Sequence, residues 1–434
     1  MMRACLALSL GVALAVASGA LSPAPEASSA AAAALRAPAL STAAQASGDA
    51  RIEPYSIAVP DDVLADLRER LERARLPDEP EGVGWDLGTN QAYLRELIEY
   101  WRDEFDWRAA ERRLNRFDQY TTNIDGLDIH FVHQRSADPD AFPLILTHGW
   151  PGSFAAFAKV IEPLTDPAAH GGEAADAFHV VVPSIPGYGF SDRPPTMGYG
   201  RDRTAEMFAE LMARLGYERY GAQGGDLGAG ISRSLALDDA EHVAGLHLNL
   251  CGGAPPDPDD PTAGVPEEEL ALLRDRQAFW TDEERGYSHI QGTKPQTLGY
   301  GLNDSPVGLA AWIVEKYRSW CDCDGHPETR FSKDELLTTI TIYWVTQTAT
   351  SAARYYYEGR HGPPTAPRRV EVPTACAAFP KELIFTPQRW LEAGYNLTRY
   401  TIMPSGGHFA AGEVPELFVD DVRAFFRDLR GGAR

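Results

Sequence analysis

The chain has 434 residues, enough for one large domain with insertions or for two domains, and its 44% hydrophobic and 24% charged residues are the balance of a globular protein with a sizeable core. A formal net charge of −22 repels phosphate backbones, which argues against nucleic-acid binding and against loose docking on anionic lipid.

The opening stretch MMRACLALSLGVALAVASGA carries one charge, Arg3, then an apolar run, then the small residues Ser18, Gly19 and Ala20. This is the pattern of a secretory signal peptide over residues 1–20, and its apolar run of roughly 14 residues falls short of the ~20 that span a bilayer. Secretion or export to the cell envelope is therefore expected, with an uncleaved N-terminal anchor or a misassigned start codon as alternatives. Residues 21–50, mostly Ala, Ser and Pro, read as a disordered linker.

An N-terminal helical segment is expected over 51–120. In DDVLADLRERLERARLP (61–77), Val63, Leu64, Leu67, Leu71 and Ala74 share one face, and Asp61 or Asp62 can cap it. NQAYLRELIEYWRDEFDWRAAERRLNRF (90–117) continues in the same style. The text changes at QYTTNIDGLDIHFVHQR (119–135), where β-branched and aromatic residues flank Asp125-Gly126, a hairpin signal.

From 121 to 251 short apolar runs alternate with helical text. Strands are expected in FPLILTHGW (142–150), FHVVVPSIPGYGF (178–190) and VAGLHLNL (243–250), and helices in SFAAFAKVIEPL (153–164) and TAEMFAELMARLGY (204–217). Such alternation implies an α/β class protein with a mostly parallel sheet and helices on both faces. Residues 252–368 break it with a Pro-rich start and then helical text, SPVGLAAWIVEKYRSW (305–320) and SKDELLTTITIYWVTQTATSAARYYYEGR (332–360), which reads as a helical lid. The sheet returns over 369–434 with VPTACAAFP (372–380) and LTRYTIMP (397–404), and PELFVDDVRAFFRDL (415–429) closes the chain as an amphipathic helix.

Cys251, Cys321, Cys323 and Cys376 remain beyond the signal, allowing three pairings. Cys321 and Cys323 stand too close for an easy bridge with each other. Export would permit disulfides, yet a chain this size does not need them, and four buried thiols fit at least as well. No Cys/His spacing resembles a zinc site, and no metal or cofactor is expected.

GAQGGDLGAG (221–230) contains the frame of a nucleophile elbow, but its central residue is Asp226 rather than serine. No Gly-x-Ser-x-Gly occurs anywhere in the sequence. His408 in SGGHFAAGEVPEL follows a strand and two glycines that let the backbone turn and present the ring. Glu382 in FPKELIFTP lies between them, giving the order nucleophile, acid, histidine. HGWPGS (148–153) ends an early strand, where the amides of Trp150 and Leu227 would form an oxyanion hole and His148, Gly149 and Pro151 would meet substrate. A carboxylate nucleophile suits attack at saturated carbon, with halide or epoxide oxygen as leaving group. An epoxide also needs a proton donor, and a lid tyrosine can serve at neutral pH.

The chain resembles the microsomal-type epoxide hydrolases, including the juvenile hormone epoxide hydrolases, over about residues 51–430. The resemblance rests on DWRAAERRLNRFDQYTTNIDGLDIHFVH, LTHGWPGS, PSIPGYGFSDRP, GAQGGDLG, GYSHIQGTKPQTLGYGLNDSPVGLAAWIVEKYRSW, FSKDELLTTITIYW and SGGHFAA. It implies an α/β-hydrolase core, a helical lid, an N-terminal segment packed around both, an acid at Glu382, and lid tyrosines at Tyr287 and Tyr356. Tyr355 and Tyr357 crowd the second assignment, since adjacent helical residues point about 100° apart. The family usually has tryptophan after the nucleophile; Leu227 departs from this, which bears on pocket shape and not on the backbone amide. The implied partners are a small epoxide and water. A haloalkane dehalogenase and a silent binding protein on the same scaffold are the competing readings.

Overall fold

The structure is a computed structural model that describes residues 50–363 and 368–430. The expected signal peptide, and all but the last residue of the expected linker, lie outside the described residues. Among the described residues no helix is long and apolar enough to cross a membrane.

Strand β1 (Ile52–Tyr55) leads into α1 (Asp61–Glu72), α2 (Gln91–Asp103) and α3 (Trp107–Leu114). The first helix stops short of its expected end at 77, ahead of Leu76-Pro77, where proline disfavours helix at the residue before it. The helical text of 90–117 forms two helices, because Asp106 leaves helical geometry and its side chain accepts from Ala109 N to cap α3. Asp125 and Gly126, both at positive φ, turn β2 (Gln119–Ile124) into β3 (Leu127–Gln134) as the hairpin signal required.

The alternation then runs β4 (Phe142–Thr147), α4 (Ile161–Thr165), β5 (Phe178–Pro183), α5 (Arg201–Arg214), β6 (Tyr220–Gly224), α6 (Leu227–Asp238) and β7 (Val243–Leu248). Only the last third of the expected 153–164 helix is α-helical. Pro163 has no N–H to give Lys159, so the helix restarts at Ile161 with the proline in its first turn, after a 3₁₀ turn at Phe154–Phe157.

The regular structure described in the lid is helical: α7 (Glu267–Ala278), a π-helical turn (Phe279–Glu284), α8 (Gly286–Gln291), α9 (Pro295–Asp304), α10 (Pro306–Trp320), α11 (Lys333–Thr346) and α12 (Ala349–His361), with loop at 252–266 and a looped stretch between α10 and α11. The chain rejoins the sheet through β8 (Val370–Ala378), α13 (Gln388–Gly394) and β9 (Tyr395–Ile402), then ends in α14 (Ala410–Glu413) and α15 (Pro415–Arg430).

One nine-stranded sheet runs in the order β1-β2-β3-β5-β4-β6-β7-β8-β9, with antiparallel pairings from β1 to β5 and parallel ones from β5 to β9. This is the α/β-hydrolase fold. The parallel strands read as continuous apolar runs because helices cover both faces; every residue of β5 and β7 is buried. Strand order reverses where β4 sits between β5 and β6, and the loops leaving β4 and β6 side by side open a crevice there.

The four cysteines, whose state the sequence left open between thiols and disulfides, are paired. Cys251, just beyond β7, is bonded to Cys376 in the neighbouring β8, their Cα atoms 6.1 Å apart. Cys321 and Cys323 bridge each other despite their closeness in sequence, where the chain leaves α10 extended and turns back.

The strand and helix on either side of the His408 loop are locked by one buried carboxylate. Asp421 of α15 accepts from His247 Nε2 at 3.0 Å, Arg399 Nε at 2.8 Å and Thr401 Oγ1 at 2.8 Å. Burial opposes its charge, but these bonds outweigh that and push the carboxyl down to about 2. Asp421→Ala should cost about 3–5 kcal/mol in denaturant unfolding, because it strands a buried partner. With a depressed folded pKa, the contribution is present above the ordinary carboxylate range and is lost as pH falls through about 2.

Candidate active site

Asp226 occupies the turn between β6 and α6, at φ 50° and ψ −128°. A residue with a Cβ pays strain there, and the surrounding packing holds it in place. The glycine frame is demanded by close approach. A Cβ on Gly224 would lie 2.2 Å from Gly228 O, and one on Gly228 would lie 2.0 Å from Thr147 O. Helix α6 therefore sits tight against β4 and β6, and the Asp226 carboxylate stands up at the C-terminal end of the parallel strands.

The loop after β4 receives it. Trp150 N donates to Asp226 Oδ1 at 2.7 Å. The carboxylate rests over Gly149, where any Cβ would come within 2.3 Å of Oδ1. Leu227 is the first residue of α6, so its amide belongs to the N-terminal donors with no partner inside the helix. His148 is buried, with Nε2 accepting from Ile185 N at 3.2 Å and Nδ1 facing Gly149 O at 3.1 Å. Burial pushes its imidazole down to about 4, so the ring is neutral. Both nitrogens are taken by backbone, so the ring braces the turn, and it also borders the cavity beside Asp226. Pro151 is buried and follows Trp150 through a cis peptide bond.

His408 arrives from the loop after β9. Lys381 and Gly407 form a parallel bridge that ties this loop to the one carrying Glu382. His408 Nδ1 lies 2.7 Å from Glu382 Oε1, and Nε2 lies 3.5 Å from Asp226 Oδ2. Glu382 Oε1 also accepts from Leu383 N at 2.6 Å. Burial opposes a charged imidazole here, but Glu382 and then Asp226 outweigh it and push His408 up to about 10. A histidine ¹⁵N titration should find the ring protonated through neutral pH with a midpoint near 10. In Asp226→Asn one of the two negative charges is gone, so the midpoint should move down. An unmoved midpoint would contradict this coupling.

The lid supplies Tyr287 from α8 and Tyr356 from α12, with their hydroxyls 3.4 Å apart. Tyr287 stacks on the Trp150 ring at 4.7 Å, and Tyr356 meets the same ring edge-on at 6.0 Å. The three-tyrosine ambiguity resolves by direction. Tyr355 points to Thr204 Oγ1 at 3.4 Å, and Tyr357 stacks on His361 at 3.9 Å. Burial first, and then the Asp226 charge for Tyr287 and the Tyr287 and Asp226 charges for Tyr356, hold both phenols well above their ordinary value. Both are neutral hydroxyls able to donate.

Sequence reading did not single out Trp320. Its ring is fully buried, 5.1 Å from that of Tyr287 and 5.0 Å from that of His408. Its Nε1 donates at 2.6 Å to Glu284 Oε2, which also takes Lys316 Nζ at 3.0 Å. The only signal was that all three lie in the lid text.

A cavity of about 300 Å³ opens beside the carboxylate. Asp226, His408 and Trp150 border it, as do Phe157, Tyr317 and Phe331, and it extends to α3 and α11. Its wall is mostly apolar carbon. Tyr287, Tyr356, Leu227 and Pro151 are not among its lining residues; the tyrosines reach the site from the lid, across the Trp150 ring.

Residues 52–157 match the family model for the epoxide hydrolase N terminus, and residues 143–283 match that for the alpha/beta hydrolase fold. A Stigmatella aurantiaca protein provisionally assigned as an epoxide hydrolase is 48% identical over 380 residues, 87% of this chain and 86% of that one. Epoxide hydrolase 1 of Sus scrofa is 42% identical over 414 residues, 88% of this chain and 89% of that one. The crystal structure of juvenile hormone epoxide hydrolase from the silkworm Bombyx mori superposes with a TM-score of 0.81 at 33% identity, covering 88% of this chain and 96% of that one.

Proposed function

The chain belongs to the epoxide hydrolase family and is an epoxide hydrolase, and on that premise we propose that it forms its diol through a covalent ester on Asp226. The observation that supports this most is the division of labour between the two carboxylate oxygens. Trp150 N holds Oδ1, while Oδ2 faces the His408 ring. Oδ1 is thus placed to become the ester carbonyl oxygen, and Oδ2 is left to attack carbon.

In the first step an Oδ2 lone pair displaces the epoxide oxygen from carbon, and Tyr287 or Tyr356 delivers a proton to that oxygen. Esterification removes the Asp226 charge, one of the two that hold a proton on His408, so the imidazole gives up its proton, which restores the tyrosinate left by the first step to a phenol. In the second step His408, oriented by Glu382, takes a proton from water as the oxygen bonds to Asp226 Cγ. The amides of Trp150 and Leu227 carry the charge that develops on Oδ1; one such donor is worth about 10²–10³ in rate. Collapse breaks the ester, and His408 gives the proton to the departing alkoxide; the second proton of water, left on the Asp226 carboxyl, passes to His408 as the diol leaves, which restores the resting ion pair.

Acid quenching of a large excess of a terminal aryl epoxide with the enzyme should leave an adduct of the epoxide's mass on the peptide bearing residues 221–230. A haloalkane should release no halide. An unmodified peptide throughout turnover would remove the ester route.

Leu227, half-buried where relatives of this type usually carry tryptophan, is a specificity position in this account. Leu227 stands next to Asp226 but outside the cavity lining, so the larger ring of Leu227→Trp acts by intruding on the site from that side; it should change the ratio of kcat/KM between a bulky and a small epoxide by about tenfold, the scale of one or two methylenes. Equal profiles for the two proteins would contradict it. We also propose that residues 1–20 are a cleaved signal peptide and that the enzyme is exported; mature protein still carrying those residues would contradict cleavage.

A further inference from the structure

His408 sits in a loop, where one hydrogen bond to Glu382 orients the ring only as well as the backbone beneath it is fixed. That backbone is fixed at three successive amides. Gly407 N donates to Glu413 Oε2 at 2.9 Å, His408 N to Trp320 O at 3.0 Å, and Phe409 N to Glu413 Oε1 at 2.8 Å. One carboxylate therefore holds the peptide on both sides of the histidine. Glu413 is delivered to this position by α14, a single helical turn whose start bends the chain back so that residue 413 lies over 407 and 409. The same Oε2 accepts from Asp322 N at 2.7 Å, which joins the clamp to the segment leaving α10.

Nothing in the chemistry proposed above uses Glu413. Its side chain is buried, 6% exposed, and makes no contact with Asp226 or with the tyrosines among the bonds it forms. A buried carboxylate is costly unless its lone pairs are filled. Here three amides fill them, and burial still lifts the carboxyl above its ordinary value against the pull of those amides and of His408. Retaining such a group beneath the histidine makes physical sense if the loop must be held to a fraction of an ångström.

We propose that Glu413 is a positioning residue for the water-activating step: by gripping the amides of Gly407 and Phe409 with its two oxygens, it sets where His408 Nε2 lies relative to Asp226 Cγ. This rests on the reading of His408 as the base. It assigns a step-specific role, because His408 works after the ester has formed, whereas alkylation depends on Asp226, Trp150 and the lid tyrosines. Loosening the clamp should slow hydrolysis of the ester and leave its formation alone.

The test is single-turnover rapid quench, with the adduct on Asp226 followed by peptide mass in wild type, Glu413→Gln, Glu413→Ala and a His408→Gln control. In Glu413→Gln one oxygen is replaced by an amide nitrogen that cannot accept, so one of the two flanking bonds is lost. Its hydrolysis constant should fall about tenfold and that of Glu413→Ala about 10²-fold, the scale of a misplacement near 1 Å. The alkylation constant should stay within about twofold of wild type in both, and adduct should accumulate in the steady state. A merely structural role would lower the fraction of enzyme that forms adduct and leave both rate constants unchanged, which would overturn the proposal. So would an equal fall in both steps. If Glu413→Ala does not fold, Glu413→Gln alone decides, by the same two constants. If the His408→Gln control also fails to accumulate adduct, the assignment of the base is wrong; if it accumulates adduct and Glu413→Gln turns over normally, only the clamp is wrong.

Discussion

Asp226→Ala is expected to abolish turnover, with kcat down by on the order of 10⁵–10⁶-fold, the scale seen when a covalent nucleophile is removed from an enzyme whose other groups remain. At about 1.4 kcal/mol per tenfold, this asks about 7–8 kcal/mol of the ester route. The loss should be chemical. Trp150, Gly149 and His408 surround the side chain without depending on it for their fold: His148 braces the Trp150 turn from below, and Glu382 keeps its bond to His408. Far-ultraviolet circular dichroism should therefore match wild type. Asp226→Asn is a less secure comparison, since slow deamidation would restore the carboxylate and show up as activity rising with storage. Residual activity of Asp226→Ala within about tenfold of wild type would mean that water opens the epoxide directly, and the Asp226 contacts would need another explanation.

His408→Gln should separate the two half-reactions. Alkylation needs an ionised Asp226 and a proton donor on the lid, both of which survive, so a stoichiometric burst of adduct should form. Hydrolysis loses its base, and steady-state turnover should fall by about 10⁴-fold or more. The variant should thus be isolated as alkyl-enzyme after exposure to substrate, stable to gel filtration and visible by intact mass. Disappearance of both the burst and the turnover would place His408 in the first step, and the ledger of protons above would fail. The raised pKa of the resting imidazole, about 10, sharpens the distinction. In the free enzyme the ring is an ion-pair partner of Asp226, and it becomes a base only when esterification takes that charge away.

Much of this arrangement was legible in the chain. Asp125-Gly126 between β-branched residues specified a hairpin, and the continuous apolar runs specified buried parallel strands. Gly224-x-Asp226-x-Gly228 is readable because close packing of α6 leaves no room for a Cβ at either end, a demand independent of the rest of the fold. His408 and Glu382 are readable from strand-loop position alone. What stayed hidden depends on direction and on long-range packing. Nothing local distinguishes Tyr356 from Tyr355 and Tyr357; the choice is made by which face of α12 meets Trp150. Cys251 and Cys376 are 125 residues apart and meet only because β7 and β8 are neighbours. Asp106 and Pro163 broke helices that periodicity alone would have continued, through capping and a missing N–H. His148 borders the cavity, but that both its nitrogens go to backbone is invisible in the sequence, and nothing local marks Glu413 as the partner of the amides on either side of His408.

The covalent claim is tested most directly by one turnover in ¹⁸O-water with enzyme in excess over epoxide. If Asp226 attacks carbon, the first diol leaves with an unlabelled carboxylate oxygen and the label stays in the peptide carrying Asp226. If that diol carries the heavy atom and the peptide does not, water attacked the epoxide itself and the ester does not exist.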